Sequence, residues 1–371
     1  MPNERQRRPV RVLVNALHSK SGGGVTYLNN IIPALAQDGD LELHLVLHQS
    51  QLAEYEALVD FARLHIFDFR MSMVRTLAWE QVALPMVAKM MDADIVYSPA
   101  NYGPLFIRRS VVLARNSLAV AAKETRPSKL IYWAVVASMT LLSLCAAHRA
   151  LAVSHYTVGN LTRWPFGWLR RKMTVVNHGV SPTFHPGGGP RGNALLAVGD
   201  IYIQKNYHTL LEAFRQLRQR HPEITLTIAG KPLDDNYAAG LRAFVAAEGL
   251  SETVTFLGHV TPVELCQLYQ SCRLFVFPST VETFGNPLVE ALACGTPTAC
   301  SNRTAMPEIA GDAVEYFDPA DVTSMCRAIE RLLTDEARRA DLMERALERA
   351  AHFSWIRCAQ RLAEILKQSA R

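Results

Sequence analysis

Charged residues are sparse in this chain of 371 residues: 20% are charged against 49% apolar, and the formal net charge is only +5. That balance excludes a disordered chain and a multi-span membrane protein, and it leaves an ordinary folded protein with a mild attraction for anionic nucleotides or lipid surfaces. No nucleic-acid-binding motif accompanies the positive charge, so no nucleic-acid partner is expected. Seven cysteines are scattered without a C-x-x-C pair or a Cys/His spacing that would bind zinc, which argues for reduced thiols in a cytosolic compartment. No D-x-D pair stands at a strand end, and Asp234-Asp235 reads as a solvated turn. Long apolar runs are also missing. The nearest is Leu130 to Ala147, eighteen uncharged positions between Lys129 and His148. It reaches only the lower limit of a spanning helix, contains Ser138, Thr140, Ser143 and Cys145, and is followed at once by a strand, so it is expected to pack on a sheet. At the start, Val10 to Leu17 contains Arg11 and is too short for a signal-peptide core, so a frayed basic tail and a first strand are expected there.

What is present is alternation. Strand patterns at Arg11–Asn15, Leu41–Leu47, Ile95–Tyr97, Val111–Ala114, Ala150–Val153 and Thr174–Val176 are separated by helical ones, beginning with Val25–Gln37. His44 and His48 fall on one of these strands as decoration. The pattern restarts with strands Ala194–Val198, Ile224–Ala229, Thr253–Leu257 and Leu274–Phe277, interleaved with helices Tyr207–Arg220, Tyr237–Glu248 and Pro262–Gln270. Helices then close the chain at Ser324–Leu333, Glu336–Arg349 and Trp355–Lys367. Such alternation predicts two doubly wound, Rossmann-like parallel sheets, as the length also suggests. The Gly/Pro run from His185 to Asn193 reads as the linker, which divides the chain into domains 1–186 and 187–352.

The densest chemistry lies in Glu282-Thr283-Phe284-Gly285-Asn286-Pro287-Leu288-Val289-Glu290. Two carboxylates flank a turn and a helix start, with Asn286-Pro287 expected as N-cap and first turn and Gly295 as the closing residue. A helix N-terminus suits a diphosphate, and Glu290 leans back toward that end. Paired carboxylates also occur in glycoside hydrolysis, but this placement fits the two ends of one bound molecule better. Upstream, Val198-Gly199-Asp200 ends a strand and Lys205 precedes a helix, which puts a cation at a strand-to-helix turn. Ser21-Gly22-Gly23-Gly24 opens the first helix after the first strand, where glycines allow close approach of a ligand. It lacks the G-x-G-x-x-G spacing of a dinucleotide loop, and no acid ends the second strand.

Taken with Pro278-Ser279, Ala291, Gly295-Thr296-Pro297, Pro307-Glu308-Ile309 and Gly311-Asp312-Ala313, the segment resembles the donor site of family 4 retaining glycosyltransferases of the bacterial surface-polysaccharide type. The resemblance implies a GT-B fold, with two facing Rossmann-like domains, a donor cleft between them, and a final helix, residues 353–371, returning to the first, acceptor-side domain. It implies transfer of a hexose from a nucleotide diphosphate sugar, a co-substrate, to a glycan or lipid-linked acceptor in polysaccharide or lipopolysaccharide synthesis. No other cofactor and no metal are implied. In this reading Lys205, beside Gly199, neutralises the leaving diphosphate. Glu290 accepts from the ribose hydroxyls, Glu282 meets the donor sugar, and Phe284, Gly285 and Asn286 offer backbone N–H groups. Gly23 and Gly24 close over the phosphates, and Asn177-His178-Gly179-Val180 forms a junction turn in which His178 is structural.

Two positions depart from the family pattern. The Arg usually found near Lys205 is replaced by Asp200 and Gln204, and the usual His-Asp pair after the strand pattern Val111–Ala114 reads Arg115-Asn116. Arg115 or another first-domain residue, or Arg303, substitutes for the missing cation, or the leaving group is handled with less charge. These departures keep a non-catalytic partner subunit open as an alternative, and a nucleotide-sugar epimerase is a second one. Arg163 to Lys172 interleaves Trp164, Phe166 and Trp168 with four cations, which suits docking of a cytoplasmic protein at the inner face of an anionic membrane. Packing of those aromatics in a loop is the competing explanation. The nucleotide base, the sugar and the acceptor have no portable sequence signature.

Overall fold

The computed structural model describes residues 8–20, 22–115, 127–163 and 165–371, apart from the side chains of 127–130 and Tyr132. The basic tail up to Arg7, Ser21, Asn116 and Trp164 therefore lie outside the described residues. The chain divides into two compact units, one running to Gly179 and resuming at Ser354–Arg371, the other spanning Val180–Phe353. The Gly/Pro run at 185–193, expected as a linker, lies inside the second unit. Arg191 pins it there, donating to the carbonyls of Tyr269 (2.7 Å), Cys272 (3.1 Å), Cys294 (3.3 Å) and Gly295 (2.9 Å).

The first unit holds β1 (Val10–Asn15), β2 (Leu41–His48), β3 (Arg63–Phe67), β4 (Ile95–Ser98), β5 (Ser110–Ala114), β6 (Arg149–Ala152) and β7 (Met173–Val175). They form one parallel sheet in the order β3-β2-β1-β4-β5-β6-β7. Strand β3 was not expected, because Arg63 and His65 interrupt its apolar pattern. It survives as an edge strand, where Arg63 and Ile66 face water. The His residues on β2 do more than decorate: His44 lies between His65 (2.9 Å) and Glu42 (3.1 Å), and His48 reaches the Phe69 carbonyl (2.8 Å). The helix Gly23–Leu35 starts two residues earlier than its pattern suggests.

The second unit holds β8 (Ala194–Val198), β9 (Thr225–Ala229), β10 (Val254–Gly258), β11 (Leu274–Phe277), β12 (Thr298–Ser301) and β13 (Glu315–Phe317), again parallel, in the order β10-β9-β8-β11-β12-β13. Strands β12 and β13 place Thr298, Ser301 and Glu315 where an apolar run would mark a strand, so neither gives a sequence pattern. Its core forms where Leu210, Leu211, Phe214 and Leu217 of helix Tyr207–Arg218 meet Leu195, Leu226 and Val276 of the sheet, with Ile329 and Leu332 of helix Val322–Thr334 alongside. Each of these side chains is essentially solvent-free, and each contributes about 1.5–3 kcal/mol by leaving water. Asp234, expected in a solvated turn, instead caps helix Asp235–Ala247 by accepting the Tyr237 N–H at 3.2 Å.

Among the described residues, no helix is long and apolar enough to cross a membrane. The final helix, Trp355–Ala370, packs on helix Gly23–Leu35 and on β4 of the first unit. Lys367 fastens its far end to Asp38 at 2.8 Å. At its near end the rings of Trp355, His178 and Tyr27 cluster with centroids 5.0–5.7 Å apart, His178 stacked on Trp355 and Tyr27 edge-on to it. Gly179 makes this approach feasible, because a Cβ there would lie 2.1 Å from the Trp355 nitrogen. Gly179→Ala is therefore expected to push the 354–355 backbone away and cost about 1–3 kcal/mol. Thermal unfolding should drop by several degrees, and limited proteolysis should cut ahead of the last helix. An unchanged melting temperature would contradict the contact.

Candidate functional site

In the second sheet β8 and β11 are neighbours, although β9 and β10 lie between them in sequence. The chain's direction of travel reverses there, so the connections leaving the carboxyl ends of β8 and β11 diverge and open a crevice, the usual ligand position in open α/β sheets. Lys205 arrives from the β8 side and Glu282 from the β11 side. Their side chains meet in an ion pair, Nζ to Oε1 2.8 Å, with only 9% and 16% of the side-chain surface exposed.

Three local features hold this pair in place. Gly199 sits at φ +142°, and a Cβ on it would come within 2.7 Å of the Lys205 side chain, so only glycine leaves room for the lysine stem. Asn206 adopts the left-handed conformation at φ 59°, and its side-chain amide donates to the carbonyls of Pro278 (3.1 Å) and Pro319 (2.8 Å). The turn carrying Lys205 is thus latched to the exit of β11. From the other side, the Glu282 N–H donates to Thr304 Oγ1 at 3.0 Å, and the Thr280 N–H donates to the Gln204 carbonyl at 2.9 Å.

Burial alone would lower the Lys205 ammonium. Glu282 and the Tyr202 and Tyr207 hydroxyls outweigh it and hold the group above its ordinary range, so the cation is permanent. The rings of Phe277 and Tyr202 lie 5.4 and 5.9 Å from Nζ and add an electron-rich wall.

Helix Asn286–Ala293 begins with Gly285 as N-cap at φ 87°, rather than with Asn286, which is its first helical residue. Gly285 takes the cap because the chain must turn left-handed there, close to the Phe277 ring. Gly295 closes the helix as expected: the Thr296 N–H donates back to the Ala291 carbonyl at 3.0 Å and the Gly295 N–H to that of Leu292 at 3.0 Å. The Phe284 side chain is buried edge-on against Phe353, ring centroids 5.5 Å apart, so it serves the core and not the crevice. Glu290 is held apart from the ion pair by Tyr269, whose hydroxyl lies 3.3 Å from Glu290 Oε2 and 3.1 Å from the Pro287 carbonyl. Burial pushes the Glu290 carboxyl up to about 7, against the opposing pull of the Tyr269 hydrogen bond and the Lys205 charge.

The first sheet has its own reversal, between β1 and β4. Arg115, just after β5, donates to the Gly23 carbonyl (3.0 Å) and to Ser19 Oγ (3.3 Å), so the guanidinium braces the glycine turn that includes Gly24. Burial lowers its pKa. Arg303 lies in the second unit and is paired with Asp318 at 2.7 Å. A polar cluster that the motif reading missed fills the mouth of β1 and β4: Glu80, fully buried, accepts from Asn15 Nδ2 (2.5 Å), lies 3.3 Å from His18 Nε2, and His18 Nδ1 lies 3.3 Å from Tyr102 Oη. Helical spacing could have flagged Glu80, since Thr76, Glu80, Leu84 and Ala88 form the buried stripe of helix Met73–Met90. In the aromatic-basic segment, Lys172 donates to the carbonyls of Cys145 (2.7 Å) and Ala147 (2.8 Å), and Leu169 is buried, while Trp168 remains 51% exposed.

Two doubly wound parallel units, each with its reversal point, define the GT-B fold of glycosyltransferases, and solved structures agree. The Anabaena protein Alr3699/HepE, solved with UDP and glucose, has a TM-score of 0.78 over 97% of this chain and 100% of its own at 18% identity. Residues 188–349 match the family described as Glycosyl transferases group 1. The serotype-specific mannosyltransferase WbdA of Escherichia coli is 38% identical over 170 residues, 44% of this chain and 20% of that protein. The Escherichia coli O-antigen chain mannosyltransferase B is 36% identical over 167 residues, 44% of this chain and 42% of that protein. The chain thus spans less than half the length of these two relatives.

The raised Glu290 carboxyl sets a pH signature. A carboxyl whose folded value lies above the unfolded one favours folding below the unfolded value, near 4.5, and that advantage is lost as pH rises through about 7. Relative to Glu290→Gln, the wild type should lose stability between these limits, by no more than about 3 kcal/mol, and run parallel above them. Urea unfolding of both proteins across this range measures it; a pH-independent difference would overturn the assignment.

Proposed function

We propose that the protein is a retaining hexosyltransferase that moves a hexose from a nucleotide diphosphate sugar to a glycan or lipid-linked acceptor during surface-polysaccharide synthesis. The observation that carries this reading is the buried Lys205–Glu282 pair at the reversal point of the second sheet, beside the N-terminus of helix Asn286–Ala293. An ammonium has three donors, and the pair uses one of them. The others suit the oxygens of a diphosphate, whose charge grows as the anomeric C–O bond breaks. Helix Asn286–Ala293 adds the positive end of its dipole to the same anion. Glu290 is the ribose partner, ionising as the sugar hydroxyls donate to it, and Glu282 meets the donor hexose while keeping Lys205 charged.

In transfer with retention, the acceptor oxygen bonds to the anomeric carbon on the face that the diphosphate leaves. The acceptor proton passes to the leaving phosphate oxygen, so atoms balance without a further reagent. Divalent metal is unnecessary in this scheme, because the cation and the helix dipole offset the diphosphate charge. Relatives named as mannosyltransferases make mannose the first donor sugar to try, and a neighbour solved with UDP and glucose supports the donor class. Work in the cytoplasm, with attachment to an anionic membrane, follows if the acceptor is lipid-linked.

Incubation with a panel of nucleotide sugars, read as released nucleotide diphosphate, separates an enzyme from a non-catalytic partner subunit. With the active donor, excess EDTA should leave the rate nearly unchanged. Lys205→Ala should lower turnover by about two to three orders of magnitude, the scale of one preorganised donor in the transition state. Loss of activity in EDTA with rescue by Mg²⁺ would sink the metal-free scheme, and full turnover in the Lys205 variant would remove the cation from the mechanism.

A further inference from the structure

Helix Met73–Met90 has an unusual solvent face. Val74, Val82, Met86 and Met90 are 75%, 63%, 54% and 85% exposed. The remaining exposed positions of the helix are Arg75, Ala78 and Lys89, so the face consists of apolar side chains and two cations. Its one acid, Glu80, points inward and is solvent-free. The opposite side packs Leu84 and Ala88 against Leu13, Val46 and Val96 of the first sheet. A helix apolar on both sides is normally enclosed by protein or lipid, and among the described residues this one has protein on one side only.

The apolar surface continues past the helix. Gln81 and Ser143 both bond the Gly103 peptide, Gln81 Nε2 donating to its carbonyl at 3.4 Å and Ser143 Oγ accepting its N–H at 3.1 Å. Helix Pro127–Ala146, which carries Ser143, therefore lies beside Met73–Met90 and exposes Ile131 (69%) and Leu142 (51%). Between the two helices the loop from Gly103 presents Phe106, 80% exposed, followed by exposed Arg108 and Arg109. The acids nearest the end of Met73–Met90, Asp92 and Asp94, are ion-paired with Arg8 at 3.7 and 2.8 Å.

We infer that this face, rather than the segment 163–172, docks the first unit on an anionic lipid bilayer. Apolar side chains would enter the acyl boundary while Arg75, Lys89, Arg108 and Arg109 meet lipid phosphates, the division of labour of an interfacial helix. The lack of exposed acid on the helix is what selects an anionic surface as the occupant. The inference deepens the membrane attachment proposed above and rests on it, but its test does not depend on the transfer reaction.

The full chain is co-sedimented with vesicles of phosphatidylcholine alone and of phosphatidylcholine mixed with phosphatidylglycerol. Wild type should bind the mixed vesicles at low salt and be released by high salt. Val82→Asp with Met86→Asp, two exposed positions whose change spares the core, should reduce binding at least about tenfold while the circular dichroism spectrum and melting temperature stay unchanged. Trp168→Ser with Arg170→Ser and Arg171→Ser should change binding by less than about twofold. Wild type that ignores the mixed vesicles, a helix variant that still binds, or a larger loss in the segment 163–172 variant would overturn the inference. So would a wild-type dimer in light scattering that the Val82→Asp and Met86→Asp changes dissolve, since the face would then belong to a second copy of the chain.

Discussion

A charged pair buried at the carboxyl ends of two parallel strands is the constraint around which the second unit is arranged. Removing an ammonium and a carboxylate from water is costly, and their mutual attraction restores that cost only when geometry is good and the remaining polar groups are satisfied. The surroundings meet this demand residue by residue. Gly199 clears space for the lysine stem, Asn206 holds the lysine's turn against the exits of β11 and β13, and Thr304 secures the backbone of Glu282. A pair of this kind is weak evidence of stability but good evidence of a place built to keep a cation charged and ready. Glu290 is tuned the other way: burial pushes its carboxyl up to about 7 despite the Tyr269 hydrogen bond and the Lys205 charge.

The first unit repeats the topology with different chemistry. Its reversal point holds Asn15, His18, Glu80 and Tyr102 in a hydrogen-bonded cluster, and Arg115 is committed to the glycine turn rather than left facing solvent. Glu80 links this interior to the surface: by turning the only acid of helix Met73–Met90 inward, the fold leaves the outer side of that helix apolar and basic. One helix thereby supports a polar site on its inner side and a lipid-like face on its outer side.

Much of this was legible in the residues themselves. Strands Ala194–Val198 and Leu274–Phe277 were readable as drawn because continuous apolar runs bounded by Gly and Pro carry their own ends. Strands β3, β12 and β13 were not, because the edge strands β3 and β13 carry charge and β12 begins and ends on Thr298 and Ser301 instead of forming a continuous apolar run. The N-cap moved from Asn286 to Gly285 for a reason absent from local propensity, namely the left-handed turn required beside the Phe277 ring. Arg191 converted an apparent linker into a fastened segment through carbonyls contributed by two distant helix ends.

The sequence by itself determined the alternating α/β architecture, the helix start that suits an anion, and the chemical types available there, since periodicity, capping and residue chemistry are local properties. Only the tertiary structure decided that Lys205 and Glu282, 77 positions apart, form one ion pair, and that Arg115 serves the glycine turn. Those outcomes depend on strand order. Parallel packing brings distant strand ends together, and no window along the chain contains that information.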